Sequence, residues 1–398
     1  MDSAEAFGDK RRMSPARSRL ANAVLVLLSL AVTYLAASFF LFRLVISDLP
    51  INLRPHFPDL AEVFAQTSKA GTVPRDYIAL LGDSYAEGQG DGLLDANGDR
   101  AKVRHSAHVL HRLTGRDVIS LGIGGAGSAQ AMVRMPTRIL RDGCFLYPQM
   151  QPPRQMLVYF YEGNDLDENG YVVNMALRNG AATREHLARY ITAHYAVPPS
   201  LRCFTDLAET GVKMVRFLST NTESFETLRT PSAHNKVLVG GAPHAAPTLQ
   251  KPPVELGPQA TDASLMVFDV SLDWLTRNFP SAITVVYLPS PAAVYRHADT
   301  AVDAYWRWPL NEVQPVLAAD IYAASQRTCE QIRALTLARH ARFIDMRPAL
   351  RAAAASTVIH GPRDWNHFNA AGYRVLGETL ARTIDDAAST ECVDWATR

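Results

Sequence analysis

Tyr77-Ile78-Ala79-Leu80-Leu81-Gly82-Asp83-Ser84-Tyr85 carries an apolar run straight into a glycine, an acid and a serine. A continuous apolar run of this length, closed by Gly82, reads as a strand covered on both faces. A helix can begin just after it. Ser84 would then sit at a sharp turn near a helix N-terminus, its hydroxyl exposed where the helix dipole favours negative charge. Taken alone, the stretch is equally well explained if Asp83 or Ser84 merely caps that helix.

Outward from this stretch, residues 118–121, 156–161, 283–288 and 342–344 form further short apolar runs of the same kind. Helical patterns lie between them, as over 106–113 and 320–338. Strands alternating with helices predict an α/β fold with a parallel sheet. Between about 166 and 280 the pattern blurs, with helix-like stretches over 184–190 and 205–218 and a Pro-, Gly- and Ala-rich passage over 240–258. This reads as an insertion between the third and fourth core strands, a lid or a binding element.

In sheets of this architecture reacting groups gather at the carboxyl ends of strands. After the second strand comes Leu121-Gly122-Ile123-Gly124-Gly125-Ala126-Gly127, whose glycines expose backbone N–H groups. Gly122, Gly124 and Gly127 also match the dinucleotide-binding G-x-G-x-x-G. That reading fails on position, since the loop follows the second strand and the acid twenty residues on, Asp142, falls in a Gly/Cys loop. After the third strand, Glu162-Gly163-Asn164-Asp165 places a side-chain amide above the sheet. The acids crowding there (Glu162, Asp165, Asp167 and Glu168) read as a solvated loop rather than a glycosidase pair. Before the last helix stands Asp364-Trp365-Asn366-His367. An acid three residues ahead of a histidine can orient the imidazole and leave its other nitrogen free as a base. Each block alone has a structural explanation. Together, and in this order, they supply nucleophile, oxyanion donors, base and orienting acid, the kit for acyl transfer.

On Gly82-Asp83-Ser84, Gly122-Ile123-Gly124-Gly125, Gly163-Asn164-Asp165 and Asp364-x-x-His367, the chain resembles the SGNH hydrolase superfamily, the GDSL esterases and lipases. Asn369-x-x-Gly372 is also similar to the family's habit. The resemblance runs from about 76 to 386, interrupted by the insertion. It implies a flavodoxin-like three-layer α/β/α sandwich with a parallel sheet of about five strands, and a domain over 75–388. It implies Ser84 as nucleophile, His367 as general base and then acid, and Asp364 orienting it. The oxyanion hole would comprise the N–H of Ser84, the N–H of Gly125 and the amide of Asn164. Gly125 is chosen over Gly124 by aligning Ser120 with the family's usual asparagine. Ala86 removes any G-x-S-x-G, against the α/β-hydrolase elbow. The resemblance implies no cofactor and no metal. It points to envelope-facing bacterial members and to O-acyl, above all O-acetyl, groups of polysaccharide, removed or transferred. Rival readings are a lipid or lysophospholipid esterase and a non-catalytic scaffold working with an envelope-assembly partner.

The N-terminus agrees with an envelope setting. Lys10, Arg11, Arg12, Arg17 and Arg19 lead into an apolar run over 20–42. Roughly 23 residues suffice to cross a ~30 Å hydrocarbon core as a helix. The run exceeds a signal-peptide h-region and no small-x-small site closes it. The expectation is a single span with residues 1–19 cytosolic, a stem over 43–74, and the domain outside the cytosol, on the periplasmic face. A tail over 389–398 closes the chain. With 40 Lys and Arg against 39 Asp and Glu, no basic excess exists to neutralise phosphates, which excludes a nucleic-acid coat. Cys144, Cys203, Cys329 and Cys392 allow one or two disulfides in any of three full pairings, and no C-x-x-C suggests zinc. Asp95-Ala96-Asn97-Gly98-Asp99 alternates acids like a calcium loop, but Arg100 replaces the glycine and Ser106 the closing glutamate, so it reads as a surface turn. His105, His108 and His111 share a helical spacing without an acidic or cysteine partner and read as packing and surface residues.

Overall fold

The computed structural model describes residues 15–46, 59–95, 102–141, 146–177, 183–197, 204–220, 235–306 and 313–393. Asp142, Cys144, Cys203, residues 96–99 of the calcium-like loop, residues 47–58 of the stem and the leading cations Lys10, Arg11 and Arg12 lie outside them.

Helix α1 (Pro15–Phe40) passes through a π-helical turn, Leu41–Val45, and α2 (Asp59–Ala65) follows. Ser18–Val45 is long and apolar enough to cross a membrane or to be a signal sequence. The core opens with β1 (Ile78–Leu81), α3 (Ser84–Glu87), α4 (Asp91–Leu94), α5 (Ser106–Thr114) and β2 (Val118–Ser120). Then come α6 (Met135–Leu140), β3 (Gln155–Tyr161), α7 (Asp165–Leu177), α8 (Arg184–Tyr195) and α9 (Asp206–Thr220). Three short strands, β4 (Asn235–Val239), β5 (Ala242–Ala246) and β6 (Leu249–Gln250), precede α10 (Pro258–Asn278) and β7 (Ala282–Leu288). The chain closes through α11 (Pro291–Val294), β8 (Arg296–His297), β9 (Ala301–Tyr305), β10 (Gln314–Leu317), α12 (Ala318–Ala338), β11 (Arg342–Asp345), α13 (Arg347–Ala354) and α14 (Ala370–Thr383).

The five strands expected from the apolar runs form one parallel sheet in the order β11-β7-β3-β1-β2. Counted along the chain this is 2-1-3-4-5, a doubly wound order whose direction reverses between β1 and β3. Alternate residues of each strand feed opposite layers, as the period of two requires. Ala79, Leu81, Ile119, Met156, Val158 and Val285 pack with α6, α7, α8 and α10. Ile78, Leu80, Val118, Leu157, Tyr159 and Val286 pack with α5, α13 and α14. Both faces are covered, which is why the strands read as unbroken apolar runs.

Residues 258–278, placed by sequence reading in the insertion, form the crossover helix α10. It buries Val267, Phe268, Leu272 and Leu275 against the sheet. The Pro-, Gly- and Ala-rich passage over 240–258 has little periodicity, yet it holds β5 and β6. Strand β5 pairs antiparallel with β4, carries Pro243 and is exposed along most of its length, so no buried face marks it in the sequence. Cys329 and Cys392 form a disulfide that ties α12 to the C-terminal segment.

Candidate active site

The crevice above the point where the sheet order reverses is where a doubly wound fold leaves room for a ligand. Ser84 stands there, directly after β1. The expected N-cap is present, with Asp83 accepting from the Tyr85 N–H at 2.9 Å. The helix it caps is a single turn ended by Gly88, so its macrodipole is slight and geometry must do what the dipole was expected to do. Ser84 is 6% exposed and lines the crevice.

His367 comes from the loop before α14. Its Nε2 lies 2.7 Å from Ser84 Oγ and its Nδ1 lies 2.6 Å from Asp364 Oδ2. The carboxylate can only accept, so Nδ1 carries the proton and Nε2 is left to accept from the serine hydroxyl. Burial opposes charge on both partners. The attraction and hydrogen bond between them outweigh it, holding Asp364 below and His367 above their ordinary values.

Asp91 holds this loop in place from the far side. Its two oxygens accept the backbone N–H groups of Asp364 at 2.8 Å and Arg363 at 3.1 Å. The Asn366 carbonyl accepts from the Tyr85 hydroxyl at 2.5 Å, and its side chain from the Tyr305 hydroxyl. The loop also passes against Gly90. A Cβ there would lie 2.4 Å from the Phe368 carbonyl oxygen, and the residue's φ of +121° suits glycine.

The glycine loop faces Ser84 across the crevice. Gly124 N–H is already donated to Glu87 Oε2 at 2.8 Å, and the same oxygen accepts from Gln89 at 2.8 Å. Gly125 N–H has no acceptor among the described hydrogen bonds, nor does Ser84 N–H. A φ of +70° at Gly125 turns the chain there, a conformation glycine adopts without penalty. Asn164 lines the same crevice; its Oδ1 is buried without a donor, and its amide stands close enough to Asp83 to lower that carboxyl. Burial nevertheless raises Asp83 to about 6 and lifts Asp165 well above its usual value, and the charge of Asp83 adds to the shift of Asp165. The charge on one therefore opposes ionisation of the other.

The loop after β3 is not the solvated acidic loop expected from its composition. Glu162 is fully buried and accepts from the Tyr287 hydroxyl, the Ser290 N–H and hydroxyl, and the Ser325 hydroxyl, at 2.5 to 2.9 Å. It links β3 to β7 and α12. Asp165, also buried, accepts from the Tyr161 N–H at 3.1 Å. Asp167 and Glu168 do reach the crevice. His105, His108 and His111 bond three separate partners: Tyr85 O, Thr67 Oγ1 and Arg116 O.

All five side chains or backbone groups singled out from sequence (Ser84, Gly125, Asn164, Asp364 and His367) line one cavity of about 620 Å³. Another part of its wall was not legible in the sequence. Gln250 at the end of β6 accepts from Tyr161 at 2.9 Å and donates to Gly163 O at 3.1 Å. Tyr305, the last residue of β9, and Trp306 after it stand beside it, and Leu93 and Leu94 also line the cavity. Asp91 and Glu87 were also missed. The only available signal was their nearness to the Gly88–Gly92 turn.

No family model matches the chain, and no curated protein sequence does. Among solved structures it is similar to the crystal structure of a Corynascus thermopiles (Myceliophthora fergusii) carbohydrate esterase family 2 (CE2) enzyme plus carbohydrate binding domain. That likeness has 15% identity and a TM-score of 0.32, and covers 79% of this chain and 67% of that one.

Proposed function

We propose that the protein is a serine-dependent esterase or acyltransferase working on O-acyl, foremost O-acetyl, groups of carbohydrate outside the cytosol. One observation carries the reading: His367 bridges Ser84 Oγ and Asp364 Oδ2 by contacts of 2.7 and 2.6 Å. In this mechanism Ser84 Oγ attacks the acyl carbonyl carbon while His367 Nε2 takes the hydroxyl proton. The carbonyl oxygen, now negative, accepts hydrogen bonds from the N–H groups of Ser84 and Gly125 and from the Asn164 amide. Collapse breaks the bond to the sugar oxygen, which leaves with the proton from His367. Water, or a second sugar hydroxyl, then attacks the acyl-serine, giving its proton to His367. The acyl group leaves as the acid or on the new sugar, and Ser84 regains its hydrogen.

A carbohydrate is favoured over a lipid by the lining. Tyr161, Tyr305 and Trp306 offer ring faces, while Gln89, Gln250 and Asn366 offer hydrogen-bonding groups. A lipid site would be dominated by aliphatic side chains, and among the described residues that line the cavity only Leu93 and Leu94 are of that kind. The membrane anchor and the non-cytosolic address rest on Ser18–Val45 acting as a span with the basic tail inside.

The test is intact mass of the full chain in detergent after exposure to a fluorophosphonate. A single adduct is expected on the wild type and none on Ser84→Ala or His367→Ala. A folded wild type that takes no adduct, or an adduct that persists on Ser84→Ala, would sink the proposal.

A further inference from the structure

Helix α9 has an outer face with no role in the cavity or the sheet. Ala208, Gly211, Val212 and Val215 are exposed along it, and Val212 and Val215 keep 69% and 66% of their surface open. At 100° per residue these four fall within one stripe. The ion pair Glu209–Lys213, at 2.7 Å, lies on another side of the helix. Asp206, on the inner side, is buried and accepts from the Tyr147 hydroxyl.

An apolar stripe alone would say nothing about what covers it. A second observation does. The N–H of Ala208, in the first turn of α9, donates to the hydroxyl of Tyr34 at 3.2 Å. Tyr34 lies within Ser18–Val45, eleven residues before its end. At ~1.5 Å per residue that helix is about 42 Å long, some 12 Å more than a ~30 Å hydrocarbon core. Centred on the core, it carries Tyr34 roughly 10 Å beneath the outer boundary, and side chains lean further toward the helix N-terminus. The last turns of the span are also not free of the domain. Phe42 and Ile46 are fully buried with Phe64, Leu146 and Tyr147, and Leu35 and Leu207 pack against the same cluster. Phe42 stacks on Tyr147 with ring centroids 4.5 Å apart. The start of α9 is therefore held at the depth of the outer leaflet.

We propose that α9 is an interfacial helix, with Ala208, Gly211, Val212 and Val215 at the headgroup–acyl boundary of a bilayer. This depth suits helices that lie at that boundary with apolar residues ~5–10 Å deep. The domain would then be docked on the lipid surface through two elements, the span and α9, instead of swinging on a stem. The inference rests on reading Ser18–Val45 as a span and is independent of the chemistry at Ser84.

The experiment uses the full chain in phosphatidylcholine–phosphatidylglycerol nanodiscs containing a lipid with a diazirine on its acyl chain. After irradiation, adducts are mapped by peptide mass spectrometry. Adducts are expected on the span and on 208–215. In V212E/V215E those on α9 should fall about tenfold, while those on the span and fluorophosphonate labelling of Ser84 persist. Adducts on the span with a bare α9 would overturn the proposal and leave the anchor intact. A bare span would overturn both. Adducts on α9 undiminished in the double variant would refute the assignment of this face, and the wild-type map stands whether or not the variant folds.

Discussion

Replacing Asp364 by Asn keeps the shape of the side chain while removing its charge and one of its two acceptors, which makes it the sharpest test of the site. The Asn366 N–H, donated to Asp364 Oδ1 at 3.0 Å, keeps a carbonyl acceptor in the amide. The amide NH2 then stands where Oδ2 accepted from Nδ1, so what disappears is that acceptor together with the attraction between the carboxylate and the imidazolium that forms as His367 takes the serine proton. With Nδ1 and Oδ2 2.6 Å apart, the charge centres stand about 4 Å from each other. At an effective dielectric near 20 that attraction is ~4 kcal/mol, or a rate factor of about 10³. The base must be neutral to work. His367 is held above its ordinary value of 6.5, so kcat/KM in the wild type should rise with pH through a midpoint above 6.5. Asp364 raises that value, so Asp364→Asn should move the midpoint downward while lowering the plateau by about 10³. The assay is hydrolysis of p-nitrophenyl acetate from pH 5 to 9. A plateau within threefold of wild type, or an acid limb that does not move, would refute the pairing.

Three further outcomes follow from the same geometry. Asp91→Ala should cost about 2–5 kcal/mol by orphaning the N–H groups of Arg363 and Asp364, and should lower kcat more than tenfold; urea titration beside the ester assay checks both, and a variant as active as wild type would show that Asp91 does not position the loop. Gly90→Ala should displace the Phe368 carbonyl and with it His367, so that fluorophosphonate labelling slows at least tenfold while the far-ultraviolet circular dichroism is kept. His360 is fully buried and its value is lowered by burial to about 3 against an ordinary 6.5, so between those values the unfolded chain binds a proton that the folded chain refuses. Stability must therefore fall as pH falls below 6.5, by ~2 kcal/mol from this group between pH 7 and 5, and the slope should flatten in His360→Asn; equal slopes in the two proteins would contradict it.

Much of the fold was present in local sequence because each core strand is packed on both faces. That demand writes itself as an unbroken apolar run, and all five runs became strands of one sheet in the expected class of fold. The long crossover helix α10 escaped because its buried positions are interleaved with Asp262, Asp269 and Asp273, and two of these, Asp269 and Asp273, are paired with Arg339. Strand β5 escaped because it buries almost nothing.

The chemistry divides in the same way. Which groups could act was legible, because a serine after a strand, a glycine loop, an amide and an Asp-x-x-His each lie within a few residues. Which of them are available was decided by contacts between distant parts of the chain. Glu87 occupies the Gly124 N–H across 37 residues and leaves that of Gly125 open. Asp91 holds Asp364 across 273 residues. Gln250 and Tyr305 reach the cavity from outside the core sheet, on the small strands β6 and β9, and neither neighbours a recognisable motif. Glu162, in a loop whose composition suggests solvation, is buried because four donors from β7, α12 and the turn after β7 converge on it. Sequence by itself therefore determined the strands and the kinds of side chain that the proposed chemistry would use. A hydrogen bond that depends on chain closure has no local signature, so its partners exist only once the domain has folded.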